Sequence, residues 1–380
     1  MRICISAFLV TTTPGMKLAG VGRHMFAILN QLTITDLGHQ YDVYLRDDVE
    51  MPATWKNCPW VTWHRVNVRN SRDRVLWEHY KIGVEAKKLE ADVLLSLFLA
   101  VPFACKIPIV TFAHDAFPRT HPTWFPFRKR RILDWLTATA CQKSKAIVTV
   151  SEFSKSELTR AYNLSSDKVF VAPNGLGNDI RRLTEDELNS VDLGKFKAEN
   201  YILSVGTIEP RKNIEGLIRA FTILKKDDRM ADTRLLIAGA KGWLDSTVGA
   251  TWQESPAKND IEFLGYVSDV ELNALMQKAR VFALTSFVEG FGIPVLEAMT
   301  VGTTVVCSNT SSLPEVCGDC GFYCDPALPQ SIADALLTAV TNTEVATAKI
   351  EAGLERSKQF TWHSAVMVLE EAFQFAIRKR

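Results

Sequence analysis

The sequence predicts two doubly wound α/β domains in tandem, and three observations carry that expectation. Its 380 residues exceed one comfortable hydrophobic core and suit two domains of ordinary size. Short β-branched runs alternate with amphipathic segments in both halves, the mark of parallel βαβ units. A polar, charged stretch with no strand pattern separates the two alternations.

The first half opens with a strand at 3–10, followed by a helix that sets Val21, Met25, Ile28, Leu29 and Leu32 on one face. Strands at 43–45 and 61–68 follow, then a helix from about Arg74. Further strands fall at 93–95, 108–112, 147–150 and 169–171, with a helix over 128–143 and a short one after Ser154. Ala172-Pro173-Asn174-Gly175 is turn chemistry, and 177–200 reads as the interdomain linker. The second alternation places strands at 201–205, 235–237, 261–263, 281–284 and 304–306, each followed by a helix pattern. A last helix starting at Trp362 suits either half. Ligands of doubly wound sheets bind at the carboxyl ends of the strands, so the expected active site is the cleft between the domains.

Composition narrows the partners. Lys plus Arg number 44 against 43 Asp plus Glu, a net charge of +1 that provides no field to hold nucleic acid. Apolar residues at 47% and charged residues at 23% describe a chain that folds in water. The most lipid-like stretch, 94–104, is about half the length of a membrane helix, and Ser96 and Pro102 interrupt it. Thr11-Thr12-Thr13-Pro14-Gly15 stands where a secretory leader would carry its cleavage site, so residues 2–10 read as the first strand of a cytoplasmic protein. Eight cysteines, mostly in apolar segments such as those of Cys4, Cys105 and Cys307, read as reduced core residues.

The strongest constellation is Glu289-Gly290-Phe291-Gly292-Ile293-Pro294-Val295-Leu296-Glu297, after the strand at 281–284. Gly290 and Gly292 allow close backbone approach, and Pro294 suits the start of a helix. Free N–H groups at such a helix start suit phosphate, so Phe291, Gly292 and Ile293 are candidate phosphate contacts, while Glu289 and Glu297 suit hydroxyls of a sugar and a ribose. Two glutamates eight apart would otherwise be a helix cap and a surface charge; the intervening Gly-x-Gly-x-Pro argues against that.

Upstream, Ser204-Val205-Gly206-Thr207-Ile208-Glu209-Pro210-Arg211-Lys212-Asn213 sets a cation pair at a strand-to-helix turn. Arg211 as a bidentate fork and Lys212 as a point charge suit a diphosphate, since positive charge there opposes the helix dipole and calls for an anion. A solvated first turn is the plainer alternative. Gly20-Val21-Gly22-Arg23 opens the first helix, and Met25 where a nicotinamide fingerprint has its third glycine argues against that cofactor. Val110-Thr111-Phe112-Ala113-His114-Asp115 brings His114 out at a strand end, where it is expected to face the substrate.

Taken together the chain resembles a family 4 glycosyltransferase of the GT-B fold, a retaining group that includes many bacterial polysaccharide mannosyltransferases. The resemblance is carried by the segments above and by Arg74-Val75-Leu76-Trp77-Glu78, His114-Asp115-Ala116-Phe117-Pro118, Ile147-Val148-Thr149-Val150-Ser151-Glu152-Phe153-Ser154, Val171-Ala172-Pro173-Asn174-Gly175, Phe263-Leu264-Gly265-Tyr266-Val267 and Leu313-Pro314-Glu315-Val316. It implies two Rossmann-like domains: an acceptor-side domain at 1–180 joined by the C-terminal helix 361–380, and a nucleotide-sugar donor domain at 181–360. It further implies that Glu289 lies beside the donor sugar, that Glu297 binds the ribose, that Arg211 and Lys212 hold the diphosphate, and that His114 contacts the transferred sugar. The glycine loop at Gly20 and Gly22 would close over the site. No metal ion or other cofactor is expected.

The expected reaction is transfer of a hexose, with mannose from GDP-mannose favoured by the segments 74–78 and 114–118, to a hydroxyl of a glycan or lipid-linked glycan. UDP-glucose, UDP-N-acetylglucosamine and rhamnosyl donors stay open, as does a non-catalytic partner that binds nucleotide-sugar or glycan. No carboxylate stands out as a covalent nucleophile, which favours same-face attack by the acceptor hydroxyl. Cys317-x-x-Cys320-x-x-x-Cys324 with Cys307 invites a zinc reading, but core packing is the better expectation. Trp124-Phe125-Pro126-Phe127-Arg128-Lys129-Arg130-Arg131 sets aromatics beside four cations and predicts peripheral contact with an anionic membrane at the inner surface.

Overall fold

The computed structural model describes residues 1–10, 20–177, 180–194, 200–240 and 246–378, and of Gly20 and Ser246 the backbone alone. The turn segment 11–15, parts of the 177–200 linker and residues 379–380 of the expected helix 361–380 lie outside the described residues. Two compact units divide the chain: Met1–Gly175 together with Thr361–Arg380, and Leu176–Phe360. The division falls at the Ala172 to Gly175 turn, within the first unit's last turn chemistry rather than at residue 180.

In the first unit the described strands are β1 (Arg2–Ser6), β2 (Gln40–Arg46), β3 (Val61–Val66), β4 (Val93–Ser96), β5 (Ile109–Phe112), β6 (Ala146–Thr149) and β7 (Val169–Val171). They form a parallel sheet in the order β3-β2-β1-β4-β5-β6-β7. This is the doubly wound order, which reverses beside β1. The pleat sends Ile3 and Ile5 into the core under the helix Gly20–Ile34, and Cys4 into the opposite core with Ile82, Ala140 and Leu158. Strand β1 stops at Ser6, short of the expected residue 10: Ala7 makes the last bond to β2, to the Tyr44 carbonyl, and Val10 then turns back onto the Ala7 carbonyl.

The closing helix Trp362–Arg378 belongs to this first unit. Ala365, Val366, Leu369, Ala372, Phe373 and Ala376 are buried against the face that also receives Met25, Ile28 and Leu29. Small residues at helical spacing let the two helices approach, and Phe375 meets Phe170 edge-on at 5.3 Å. A hydrogen bond of 2.6 Å between His39 Nε2 and Glu370 Oε2 anchors the outer edge.

In the second unit the described strands are β8 (Tyr201–Val205), β9 (Arg234–Ala238), β10 (Ile261–Gly265), β11 (Val281–Leu284), β12 (Val305–Ser308) and β13 (Gly321–Cys324). Their order, β10-β9-β8-β11-β12-β13, repeats the doubly wound pattern, all parallel. Strand β13, the four residues Gly-Phe-Tyr-Cys, has two strand-favouring aromatics but is too short for alternation to mark it and lacks the β-branched run that marks the other strands; its pairing with β12 from Val305–Gly321 to Ser308–Cys324 makes it a strand. Cys307, Cys317 and Cys324 are buried in this region, and among the described residues no His, Cys, Asp and Glu cluster has the geometry of a metal site.

The helix expected from about Arg74 begins at Ser71, where Asn70 Oδ1 accepts from the N–H groups of Arg72 and Asp73 at 2.8 and 3.0 Å. It passes through a π-turn at Trp77–Lys81 into Ile82–Lys88. The π-turn draws Glu78 inward to 6% exposure, and burial pushes its carboxyl up to about 7 against the opposing pull of Arg74. With the folded value above the unfolded one, the folded protein keeps a proton that the unfolded chain releases, so stability falls as pH rises from the ordinary carboxyl range to about 7. Glu78→Gln removes that loss. Its melting temperature relative to wild type is expected to rise between pH 5 and pH 8 in parallel thermal scans; an unchanged difference would refute the assignment.

Candidate active site

The site of the second unit grows from the place where its sheet changes direction, between β8 and β11. Beyond β8 the chain meets β9 closely: a Cβ on Gly239, whose φ is +151°, would stand 1.9 Å from the Gly206 carbonyl oxygen. Only glycine fits there. The chain then makes a tight turn at Pro210–Lys212 and enters the helix Ile214–Leu224. Asn213, in the left-handed region at φ 54°, caps that helix by accepting from the Gly216 N–H at 3.2 Å. Its amide nitrogen donates to the carbonyls of Thr285 at 3.1 Å and Pro326 at 2.7 Å. The Phe287 N–H donates to the Arg211 carbonyl at 2.8 Å. The turn that carries the cations is thereby tied to the loop after β11, three strands later in sequence than β8 but adjacent to it in the sheet.

Glu289 sits at the centre of this tie. Lys212 Nζ and Ser286 Oγ donate to its Oε1 at 2.6 and 2.7 Å, and Arg211 Nη1 donates to its Oε2 at 2.7 Å. Arg211 Nε pairs in turn with Glu209. Lys212, Glu209 and Glu289 are all buried, while Arg211 retains 24% side-chain exposure. Burial would push the Glu289 carboxyl up; Arg211, Lys212 and the hydrogen bonds from Lys212 and Ser286 outweigh it and hold it well below the usual carboxylate range. Burial likewise lowers the Lys212 ammonium, with Glu289 opposing. Two cationic side chains face two carboxylates, so their formal charges balance within the cluster.

The backbone of Glu289 is held as firmly as its side chain. Its N–H donates to Ser311 Oγ at 3.1 Å, and Ser312 Oγ donates to the carbonyls of Glu289 and Phe291, both at 2.9 Å. Gly292 follows in the left-handed region at φ 108° and starts the helix Ile293–Val301, with Pro294 in its first turn and no side-chain cap. An uncapped first turn of this kind is suited to an anion. Glu297 is buried on the same helix.

The structure therefore gathers Arg211, Lys212, Glu289, Phe291, Gly292, Ile293 and Glu297 in one unit. His114, Gly20 and Gly22 lie in the other. Gly20 and Gly22 are the first and third residues of the helix Gly20–Ile34 rather than loop residues, and the segment before them, 11–19, is outside the described residues. His114 follows β5, and burial pushes its imidazole down to about 4. Its ring meets that of His24 edge-on at 4.6 Å, and burial lowers His24 as well. His114 Nε2 and both ring nitrogens of His24 are buried without a hydrogen-bond partner among the described residues. Asp115, its neighbour, accepts from the Phe117 N–H at 3.0 Å and so shapes the next turn.

Glu209, Asn213, Ser286, Ser311, Ser312 and His24 went unassigned in the sequence reading. Glu209 and Asn213 lie inside the Glu-Pro-Arg-Lys-Asn run, where a carboxylate beside two cations was a readable signal. The serines are ordinary loop residues by sequence, and only their contacts mark them.

A sequence profile described as glycosyl transferases group 1 matches residues 185–356, and one described as Glycosyltransferase Family 4 matches residues 18–177. The O-antigen chain mannosyltransferase B of Escherichia coli is 36% identical over 269 residues, 70% of this chain and 70% of that protein. The serotype-specific mannosyltransferase WbdA of Escherichia coli is 27% identical over 61% of this chain but only 29% of its own length. Among solved structures, Anabaena HepE in complex with UDP-glucose superposes with a TM-score of 0.72 at 17% identity, covering 98% of each chain.

The folded-state pKa of Glu289 is depressed, so the stability it contributes is fully present above the unfolded carboxyl value and is lost as pH falls through the folded one. Glu289→Gln leaves Lys212 buried beside a neutral group, an effect on the order of 3 kcal/mol. Denaturant unfolding is expected to show that loss at neutral pH and a shrinking difference from wild type as pH drops below the carboxylate range.

Proposed function

The chain belongs to glycosyltransferase family 4, and on that footing we propose that it transfers mannose from GDP-mannose to a hydroxyl of a glycan or lipid-linked glycan. The observation that carries the reading is the pairing of Arg211 and Lys212 with Glu289 beside the uncapped start of the helix Ile293–Val301. Mannose is supported by the mannosyltransferases among its relatives.

A sugar-diphosphate bond breaks with positive charge on the anomeric carbon and negative charge on the departing diphosphate. Arg211, Lys212 and the N–H groups of Phe291, Gly292 and Ile293 supply fixed positive charge and donors for the leaving group. These groups do the work that a divalent ion does elsewhere, so the reaction is proposed to be metal-independent. Glu289 accepts hydrogen bonds from hydroxyls of the donor sugar, and Glu297 from those of the ribose. The neutral imidazole of His114 suits a sugar hydroxyl, with one nitrogen to donate and one to accept. Transfer occurs with retention: the acceptor oxygen bonds to the anomeric carbon on the face the diphosphate leaves, and the acceptor proton passes to the departing phosphate oxygen. Glu289 is a poor nucleophile for the alternative double displacement, because both of its oxygens already accept from cations or Ser286.

Among the described residues no helix is long and apolar enough to cross a membrane. We place the enzyme in the cytoplasm, with peripheral contact at the inner membrane surface.

Thermal stability against GDP, UDP, ADP and dTDP tests the donor. GDP is expected to raise the melting temperature, equally with and without chelator, and purified chain with GDP-mannose and a glycan acceptor is expected to release GDP. Lys212→Met is expected to lower kcat about 100- to 1,000-fold. A shift with UDP or dTDP alone would replace the sugar; no shift and no turnover would overturn the catalytic reading. The stereochemical course is tested by mass spectrometry of enzyme quenched during turnover, where a mannosyl adduct on Glu289 would sink same-face attack.

A further inference from the structure

Large apolar side chains exposed in the first unit concentrate on two neighbouring helical segments. On the segment through the π-turn, Val75, Leu76, Tyr80 and Val84 are 44–57% exposed; on the helix Phe127–Lys143, Phe127, Ile132 and Trp135 are 53–69% exposed. Leu76, Tyr80 and Val84 recur at four-residue intervals, and so do Phe127, Arg131 and Trp135, so each set lines one helical side. Phe103 joins the two: its ring meets Tyr80 edge-on at 5.3 Å and Trp135 at 5.9 Å. One apolar surface therefore runs across both helices, broad where the aromatic rings meet.

Its surroundings are basic. The helix Phe127–Lys143 carries five cations against a single acid, Asp134, and Asp134 is paired with Arg119. Arg128, Lys129 and Arg131 are exposed at its start, and Lys81, over the Trp77 ring at 4.9 Å, and Lys87 are exposed on the other segment. Glu78, the acid nearest the middle of that segment, faces inward. Tyrosine and tryptophan rings flanked by Lys and Arg fit the boundary between lipid headgroups and acyl chains, where an apolar ring is buried and the cations meet anionic headgroups.

We propose that this two-helix face is a membrane footprint that seats the protein on an anionic lipid bilayer, with Tyr80, Phe127, Ile132 and Trp135 entering the interface. The footprint differs from the expected segment 124–131. Trp124 stacks on His121 with ring centroids 4.2 Å apart and is only half-exposed, so the entering aromatics are Phe127 and Trp135, joined through Phe103 to Tyr80. A bilayer fits better than a second copy of the chain, because a two-fold contact through this face would bring the Arg128 to Arg131 run of one copy against the same surface of the other.

The footprint deepens the proposed peripheral localisation, and its test stands apart from donor binding. Vesicles of equimolar phosphatidylglycerol and phosphatidylcholine in 0.1 M salt are expected to cosediment the full chain at least tenfold more strongly than pure phosphatidylcholine vesicles, with the difference lost at 0.5 M salt. Tyr80→Ser with Trp135→Ser is expected to weaken binding at least tenfold, as is Arg128→Glu with Arg131→Glu, while Trp124→Ser leaves it unchanged. All variants keep the wild-type thermal shift with GDP, which certifies their fold and separates this result from the donor reading: loss of the GDP shift in wild type would strike the transferase proposal and leave vesicle binding untouched. No cosedimentation, undiminished binding by the double variants, or a concentration-dependent dimer abolished by them without vesicle binding would overturn the footprint.

Discussion

The second unit depends on a buried charge cluster. Lys212 and Glu289 are 2.6 Å apart and both withdrawn from water, so neither can keep its charge without the other. Arg211 bridges Glu289 to Glu209 and stays partly exposed, so of the two cations it is the one in contact with solvent. A cluster whose formal charges balance can hold strong local fields at little net cost, and under the proposed function its cations are positioned before the donor arrives.

That cluster exists only because the backbone around it is over-determined. Gly239 lets β9 touch the end of β8, Asn213 reaches from its helix cap to two carbonyls on other segments, and Ser312 clasps the carbonyls on both sides of Gly290. Each of these fixes main-chain position rather than adding a side-chain partner for a ligand. The left-handed turn at Gly292 then converts a rigid loop into a helix start with its N–H groups outward. Preorganisation here is built from short polar residues in loops, supported by a doubly wound sheet that sets the loops side by side.

The first unit follows a different logic. Its closing helix returns from the far end of the chain to complete a core begun by β1, so the unit is made of both termini. His24 and His114 share a buried aromatic environment with Phe112 and Trp362, and burial keeps both neutral. Neutral imidazoles suit hydroxyl groups rather than phosphates, in contrast to the cation pair of the second unit.

Consecutive residues were enough to read the alternation of strands and helices, the two-domain plan and the loops that bear Glu289, Arg211, Lys212 and His114. Periodicity, turn residues and helix starts are properties of neighbours in sequence, and they survive without knowledge of the fold. The pairing of Lys212 with Glu289 is not such a property: the two are 77 residues apart and meet because β11 lies beside β8 while β9 and β10 turn to the other side. The same holds for His24 against His114, for Tyr80 and Trp135 joined through Phe103, and for β13, four residues too short for alternation to mark until β12 offers its edge. The sequence by itself determined which chemistry the chain carries and on which elements; tertiary structure alone decided which charges meet and which faces stay open, because those depend on strand order and burial, distances that no local pattern encodes.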